Sequence, residues 1–223
     1  MSWGAIVVAA GRGTRFGRPK QLVPLAGKPM LAWSLELFGA MHEIATVVVA
    51  TEPELVSEVG ALVPGVRVVA GGAERQDSVR LALAELPERC ERVLVHDGAR
   101  PLVRADDVRR GMEVVEPHVC ALLAVPVVDT IKQVDEGGKV VRTLDRARLW
   151  HAQTPQFAMS ADLRRAHRDA FKNGVRVTDD ATLLERAGFD VLAIEGSAEN
   201  FKVTVPADLL RAEVILRERL AAS

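Results

Sequence analysis

Short apolar runs rich in β-branched residues recur along the chain and predict the strands of a sheet. They lie at 5–9, 46–50, 66–70, 92–95, 121–128 and 191–194. A strand with one solvent-exposed face alternates apolar and polar residues. These runs do not alternate, so they predict strands buried on both faces.

Two stripes of apolar residues between and after these runs have helical spacing. Val79, Ala82, Leu83 and Leu86 form the first, and the second is formed by Leu209, Ala212, Leu216 and Leu220. Pro206 suits the first position of the last helix. The alternation of strand and helix predicts a mostly parallel sheet flanked by helices, and such sheets bind ligands outside the carboxyl ends of their strands.

One region breaks this alternation and predicts a β-hairpin. Residues 130–134 and 139–144 resemble two strands joined by the turn Asp135-Glu136-Gly137-Gly138. Because an isolated two-stranded ribbon is marginal in water, it must pack on its own domain or on another subunit, and we favour the second. We therefore predict a single domain, 1–223, with 130–153 as a dimerisation arm, hereafter the arm.

Composition and charge narrow the range of partners. The 223 residues are 48 % hydrophobic and 26 % charged, and 29 basic against 30 acidic residues leave a net charge of −1. No whole-molecule attraction for nucleic acid or anionic lipid follows, so any anion must be held locally. Cys90 and Cys120 lack the spacing of a zinc site or a redox pair, which predicts buried thiols. The absence of a charged leader or a spanning apolar run leads us to expect a cytoplasmic protein.

The loop after the first strand predicts a phosphate site. It reads Ala-Ala-Gly-Arg-Gly-Thr-Arg over residues 9–15, and Lys20 follows. Glycines let backbone N–H groups approach phosphate oxygens, while Arg15 and Lys20 supply positive charge. The spacing matches neither the dinucleotide fingerprint nor the P-loop. A turn with solvated arginines is the alternative at this point.

Two further loops follow predicted strands and carry polar groups. The stretch 71–79 places a glycine pair and Ser78 at the start of a helix, where they can contact a base or an anion, or cap the helix. The stretch 96–101 places Asp97 at a strand end, where a carboxylate can hold Mg²⁺ together with substrate phosphates. His96 has no other histidine at a ligand spacing, so we expect it to be packed or orienting.

Six segments together resemble the 2-C-methyl-D-erythritol 4-phosphate cytidylyltransferases of the non-mevalonate isoprenoid pathway. The similarity covers essentially the whole chain in the same order. The segments are 9–20, with Arg15 and Lys20, 71–79, 96–101, 149–156, 177–181 and 200–204. The resemblance implies a Rossmann-like α/β fold of the nucleotidyltransferase type and a reaction that joins CTP to a sugar-alcohol phosphate and releases pyrophosphate.

On the nucleotide side, the resemblance implies that the cations Arg15, Lys20 and Lys202 catalyse the reaction. It implies Mg²⁺ on Asp97, with Glu199 as a second ligand, directly or through water. The residues implied to contact the nucleotide are Ala10, Gly11, Gly13, Gly72, Ala73, Ser78, Asp97 and Gly98. Ala73 stands where the family can have an acidic residue, so only its backbone contact carries over. The five-residue step from Arg15 to Lys20 is shorter than we expect.

On the polyol side, the resemblance implies binding by Thr130, Arg146, Thr154 and Thr178. In the family the arm projects into a partner subunit and its arginine completes the neighbouring site, which implies a homodimer. Arg148 stays open as the phosphate ligand in place of Arg146.

Two other functions stay open. The first is cytidylyl transfer to ribitol 5-phosphate with the same fold, metal and cations. A non-catalytic CTP-binding module is the second, although it predicts missing cations or a missing metal carboxylate.

Overall fold

The computed structural model describes residues 2–11, 16 and 19–222. Within them the strands are β1 (Ser2–Ala9), β2 (Pro24–Leu25), β3 (Lys28–Pro29), β4 (Ile44–Thr51), β5 (Arg67–Ala70), β6 (Cys90–Asp97), β7 (Val119–Pro126), β8 (Lys132–Val134), β9 (Val140–Thr143), β10 (Trp150–Met159) and β11 (Asp190–Glu195). The helices are α1 (Met30–Ala40), α2 (Val56–Gly60), α3 (Arg75–Glu85), α4 (Ala105–Glu113), α5 (Ser160–Lys172), α6 (Asp180–Arg186) and α7 (Pro206–Ala221).

Seven strands form the central sheet in the order β11-β7-β10-β6-β1-β4-β5. The β1 strand pairs in parallel with β4 and β6, so that Val7 lies between Val49 and His96. The β10 strand is antiparallel to both of its neighbours. The predicted α/β fold with a mostly parallel sheet is confirmed.

Both faces of the sheet centre are covered by helices. Ala5 and Val7 pack in a cluster with Leu35 of α1 on one face, while Ile6 packs with Val79 of α3 on the other. Ala5, Ile6 and Val7 are fully buried. Successive strand residues point to opposite faces, so two buried faces require the continuous apolar run seen in the sequence.

Burial on both faces was a wrong prediction at the sheet edges. The edge strands β5 and β11 have no fully buried residue, because each has a neighbouring strand on one side alone. The β10 strand was not predicted as a strand. The stripe on α7 is correct for Ala212 and Leu216, which are buried, but wrong for Leu220, which is 55 % exposed.

The predicted hairpin is present as the two-stranded β8–β9 ribbon. Lys132 pairs with Thr143 across it, and every residue of both strands is exposed. Residues 150–153 of the arm belong to β10 in the central sheet, so the ribbon itself ends before them. Neither face of the β8–β9 ribbon is therefore covered by the described part of the chain.

Two further expectations concern the rest of the molecule. Cys90 and Cys120 are free and buried, as predicted. Among the residues described, no helix combines the length and apolar character needed to cross a bilayer.

Candidate active site

A cavity of about 840 Å³ opens where β1, β5 and β6 end. It brings together the three loops that the sequence singled out. Its lining includes Ala10, Gly11, Lys20, Gly72, Ala73, Ser78, Asp97, Gly98 and Lys202. These predicted nucleotide-site or catalytic residues are far apart along the chain, yet they share one cavity because parallel strands end at the same sheet edge. Gly13 and Arg15 lie outside the described residues.

Glycine is needed in the loop before α3 because the backbone approaches other groups closely. A Cβ on Gly71 would lie 2.5 Å from the Cβ of Ala10, and one on Gly72 would lie 2.4 Å from the Cβ of Asp77. The Ser78 hydroxyl accepts a hydrogen bond from the Gly72 N–H (3.1 Å) and donates one to the Glu74 carbonyl (3.1 Å). This hydroxyl fixes the loop that forms one wall of the cavity.

Asp97 is the charged centre of the cavity floor. Its carboxylate accepts hydrogen bonds from Arg75 Nε (3.1 Å) and Lys202 Nζ (2.9 Å), and Arg100 Nε lies 3.9 Å away. Burial by itself would raise the pKa of Asp97, but the attraction of Arg75 and Lys202 outweighs it and holds that pKa well below its usual range. Asp97 is therefore an anion at any physiological pH.

The backbone of Asp97 is held by a buried histidine and threonine. The Asp97 N–H donates to Thr154 Oγ1 (3.0 Å), which lies 3.1 Å from His96 Nδ1, while His96 Nε2 donates to the Arg100 carbonyl (3.1 Å). Burial lowers the pKa of His96 to about 4, so the ring is neutral and its Nδ1 accepts from the threonine hydroxyl. His96 is an orienting residue, as the sequence indicated.

Arg75 was not singled out by the sequence analysis. Besides Asp97, its guanidinium donates from Nη1 to Asp180 Oδ2 (2.7 Å), and His167 Nε2 lies 2.9 Å from the other oxygen of Asp180. Arg75 lines the cavity and links its floor to the start of α6. The one sequence signal was its place between the glycine pair and Ser78, because its two carboxylate partners lie 22 and 105 positions away.

The two described catalytic candidates are neighbours across the cavity. Lys20 Nζ donates to the backbone carbonyl of Val203 (3.2 Å), the residue after Lys202. Lys20 begins a 3-10 turn at Lys20–Leu22, and Lys202 lies in the irregular segment before α7. Lys20 and Lys202, which lie on different segments of the chain, therefore line the same cavity as Asp97.

The four polyol-side candidates are not brought into the cavity of their own chain. Thr130, Arg146 and Thr178 are exposed and absent from the cavity lining, and Thr154 lies buried beneath Asp97. The guanidinium of Arg146 donates from Nη1 to the Val128 carbonyl at the base of the arm. Arg148 is also exposed.

Glu199 is placed away from the cavity lining. One of its oxygens accepts hydrogen bonds from both Arg104 and Arg219, each at 2.7 Å. No cluster of three or more metal-ligating side chains occurs in the part of the chain that the structure describes. Of the two predicted metal ligands, Asp97 is the one that lines the cavity. One or two carboxylates together with phosphate oxygens and water are the usual environment of Mg²⁺.

The family model and the sequence relatives that match this chain carry the same protein name. The family model described as IspD, 2-C-methyl-D-erythritol 4-phosphate cytidylyltransferase, matches residues 4–218. Proteins of that name from Alkaliphilus metalliredigens and from Synechococcus sp. strain CC9902 are 44 % and 42 % identical to this chain. Each alignment covers 96 % of this chain, with 92 % and 97 % of the two relatives.

Solved structures give the same result. The crystal structure of 2-C-methyl-D-erythritol 4-phosphate cytidylyltransferase from Thermus thermophilus superposes with a TM-score of 0.82 at 36 % identity, covering 97 % of this chain and all of that one. The Francisella tularensis enzyme of the same name gives 0.82 at 32 % identity, covering 96 % and 99 %. With these matches and the cavity described above, the chain belongs to the 2-C-methyl-D-erythritol 4-phosphate cytidylyltransferase family.

Proposed function

We propose that this protein transfers CMP from CTP to 2-C-methyl-D-erythritol 4-phosphate and releases pyrophosphate. The observation that carries the proposal is the meeting of Asp97, Lys20 and Lys202 at a glycine-lined cavity on the carboxyl edge of the sheet. A nucleotide-binding module without catalysis predicts that a cation or the metal carboxylate is missing, whereas Lys20, Lys202 and Asp97 are all present at the cavity. Family membership supplies the identity of both substrates.

The proposed transfer reaction requires positive charge around the phosphates and does not need a strong base. A phosphate monoester has a second pKa of about 6, so its oxygen is ionised and can attack the α-phosphorus of CTP at neutral pH. The new phosphorus–oxygen bond forms as the bond to the leaving pyrophosphate breaks. Phosphoryl transfer of this kind depends on positioning and on neutralising developing charge. Lys20 and Lys202 supply that charge, and Arg15 is proposed to join them.

Magnesium is part of the proposal, with Asp97 as its protein ligand. When bound, the ion would neutralise triphosphate charge and favour departure of pyrophosphate. Lys202 and Arg75 keep the Asp97 carboxylate ionised, so the ligand needs no deprotonation. Glu199 stays a proposed outer ligand through water, since its carboxylate is already paired with two arginines.

A homodimer completes the proposed site. The ribbon exposes apolar side chains, with Val134 and Val140 about half exposed and Val141 at 61 %, and such a surface favours burial against a second copy. Thr130 and Arg146 lie at the base of this ribbon and outside the cavity of their own chain, where they are available to a partner. Location in the cytoplasm is supported by the two free thiols, which suit a reducing compartment.

Mixing two variants with impaired activity tests the shared site. Arg146→Ala should chiefly weaken binding of the polyol phosphate, and Lys20→Ala should weaken catalysis in the cavity of its own chain. Hybrid dimers carry one site with both residues intact, so mixing should restore about a quarter of wild-type activity if subunits exchange randomly and the sites act independently. Steady-state rates of the mixture are compared with those of each variant alone. No recovery despite demonstrated subunit exchange would place Arg146 in the site of its own subunit.

Pyrophosphate release separates the proposal from its rivals. The protein is incubated with CTP and Mg²⁺ together with either 2-C-methyl-D-erythritol 4-phosphate or ribitol 5-phosphate. We expect turnover with the methylerythritol substrate alone. Turnover with ribitol 5-phosphate alone would support the same reaction with a different substrate. No pyrophosphate release with either substrate would favour a CTP-binding module.

A further inference from the structure

The segment before Thr178 is fastened to α3 by one buried side chain. Gln76 Nε2 donates to the Val175 carbonyl (3.1 Å), and Gln76 Oε1 accepts from the Val177 N–H (3.1 Å). Gln76 is 8 % exposed. A single amide therefore binds the backbone at two points within three residues of Thr178.

The segment after Thr178 is fastened by a second glutamine. Gln156 of β10 donates from Nε2 to Asp179 Oδ2 (2.9 Å) and accepts at Oε1 from the Ala181 N–H (2.8 Å). The other oxygen of Asp179 caps α6 by accepting from the Thr182 N–H (2.9 Å). Thr178 is thus an exposed residue in a segment whose two flanks are both held by buried amides.

Gln76 belongs to the same helix turn that forms the cavity wall. Arg75, the residue before it, binds Asp97 on the cavity floor, and Ser78 holds the Gly72 loop. The first turn of α3 is therefore shared by the cavity and by the segment that carries Thr178. A shift of the segment relative to this turn would change the distance between Thr178 and the cavity.

The ion pair next to Gln76 holds the segment less firmly. Asp77 accepts two hydrogen bonds from Arg176 Nη1, at 3.0 and 3.1 Å, but the Arg176 side chain is 60 % exposed. Water and salt screen such a pair, whereas the amide contacts of Gln76 are shielded. The amide is the stronger constraint on the segment.

We propose that Gln76 is a positioning residue that fixes Thr178 relative to the nucleotide cavity and thereby sets the affinity for the polyol phosphate. The inference rests on the proposed function and on the contact between Thr178 and the polyol phosphate that the family resemblance implies. Gln76 itself does not line the cavity, and it acts through the backbone of residues 175–177.

Gln76→Leu tests the inference because leucine is of similar size and cannot form either hydrogen bond. We expect the KM for 2-C-methyl-D-erythritol 4-phosphate to rise about tenfold, the effect of losing one to two net hydrogen bonds, while the KM for CTP changes by less than about twofold. Ser160→Ala is the matched control, since Ser160 is buried and donates to the Cys90 carbonyl (2.6 Å) at the other end of β6. It should leave both KM values unchanged. Equal increases in both KM values for Gln76→Leu would overturn the inference.

A double-mutant cycle with Thr178→Ala separates this inference from the function on which it rests. If Gln76 acts through Thr178, adding Gln76→Leu to Thr178→Ala should raise the KM for the polyol phosphate by less than about twofold further. Additive effects would overturn the role of Gln76 alone. An unchanged KM in Thr178→Ala would show that the proposed contact of Thr178 is wrong, and the inference would fall with it.

A second variant and a direct probe guard against loss of fold. Gln156→Leu removes the hold on the other flank and should also raise the KM for the polyol phosphate selectively. Amide hydrogen exchange should accelerate at Val177 in Gln76→Leu and stay at the wild-type rate in Ser160→Ala. Unaltered exchange at Val177 would contradict the proposed hold.

Discussion

Replacing Lys202 by alanine should lower kcat roughly 10²- to 10³-fold, the usual cost of removing one preorganised group that stabilises transition-state charge. Lys202 Nζ lies 2.9 Å from Asp97 and shares the cavity with Lys20. Its charge is placed for the moment when charge builds on the α-phosphate, so the KM for CTP should change by less than about threefold. Steady-state kinetics in both substrates measure the two effects separately.

Lys172→Ala serves as the control for removing a lysine. Lys172 is an exposed residue in the last turn of α5 and is not part of the cavity lining. Its loss should leave both constants at wild-type values. A Lys202→Ala enzyme with normal kcat and a raised KM for CTP would assign the lysine to ground-state binding and refute the transition-state role.

Asp97→Asn should reduce kcat/KM by about 10²-fold or more. The amide keeps the size of the side chain but removes the negative charge that faces Arg75, Lys202 and Arg100. Those cations would then repel one another at short range, and a divalent ion would lose the carboxylate on the cavity floor. Turnover is measured over a Mg²⁺ titration, and Mn²⁺ binding in the presence of CTP is measured by electron paramagnetic resonance.

The matched control for this variant is Asp107→Asn. Asp107 of α4 is also buried and also paired with an arginine, Arg110 (2.7 Å), but it does not line the cavity. It should retain wild-type kcat/KM and Mn²⁺ binding. Undiminished activity with an unchanged Mg²⁺ dependence in Asp97→Asn would remove Asp97 from the metal site.

The strands at the sheet centre could be predicted because a short run of consecutive apolar residues indicates their burial. The run at 5–9 is apolar at every position, and β1 lies between two strands and two helix layers. The same reasoning failed for β10, where Gln153, Thr154 and Gln156 are polar and nonetheless buried. Their hydrogen bonds go to partners distant in the sequence, such as Asp97, which local periodicity does not reveal.

The site, like the fold, has a part that local patterns predicted and a part that depends on distant contacts. Glycines and cations directly after strands predicted the cavity, because the carboxyl ends of parallel strands share one edge of the sheet. Arg75 and Gln76 were missed, since neither residue type is distinctive in a helix's first turn. Their roles depend on Asp180, Val175 and Val177, which lie far along the chain from α3.

The sequence by itself determined the strands at the sheet centre, the hairpin, the apolar stripe of α3, the three loops at the sheet edge and the family. Each of these depends on patterns within about 10 to 20 neighbouring residues or on motifs in order along the chain. The tertiary structure alone decided which charges meet at Asp97, that Glu199 is paired with Arg104 and Arg219, and that two glutamines hold the Thr178 segment. These contacts join distant positions, and a hydrogen bond or ion pair exists only where folding brings its two partners within reach.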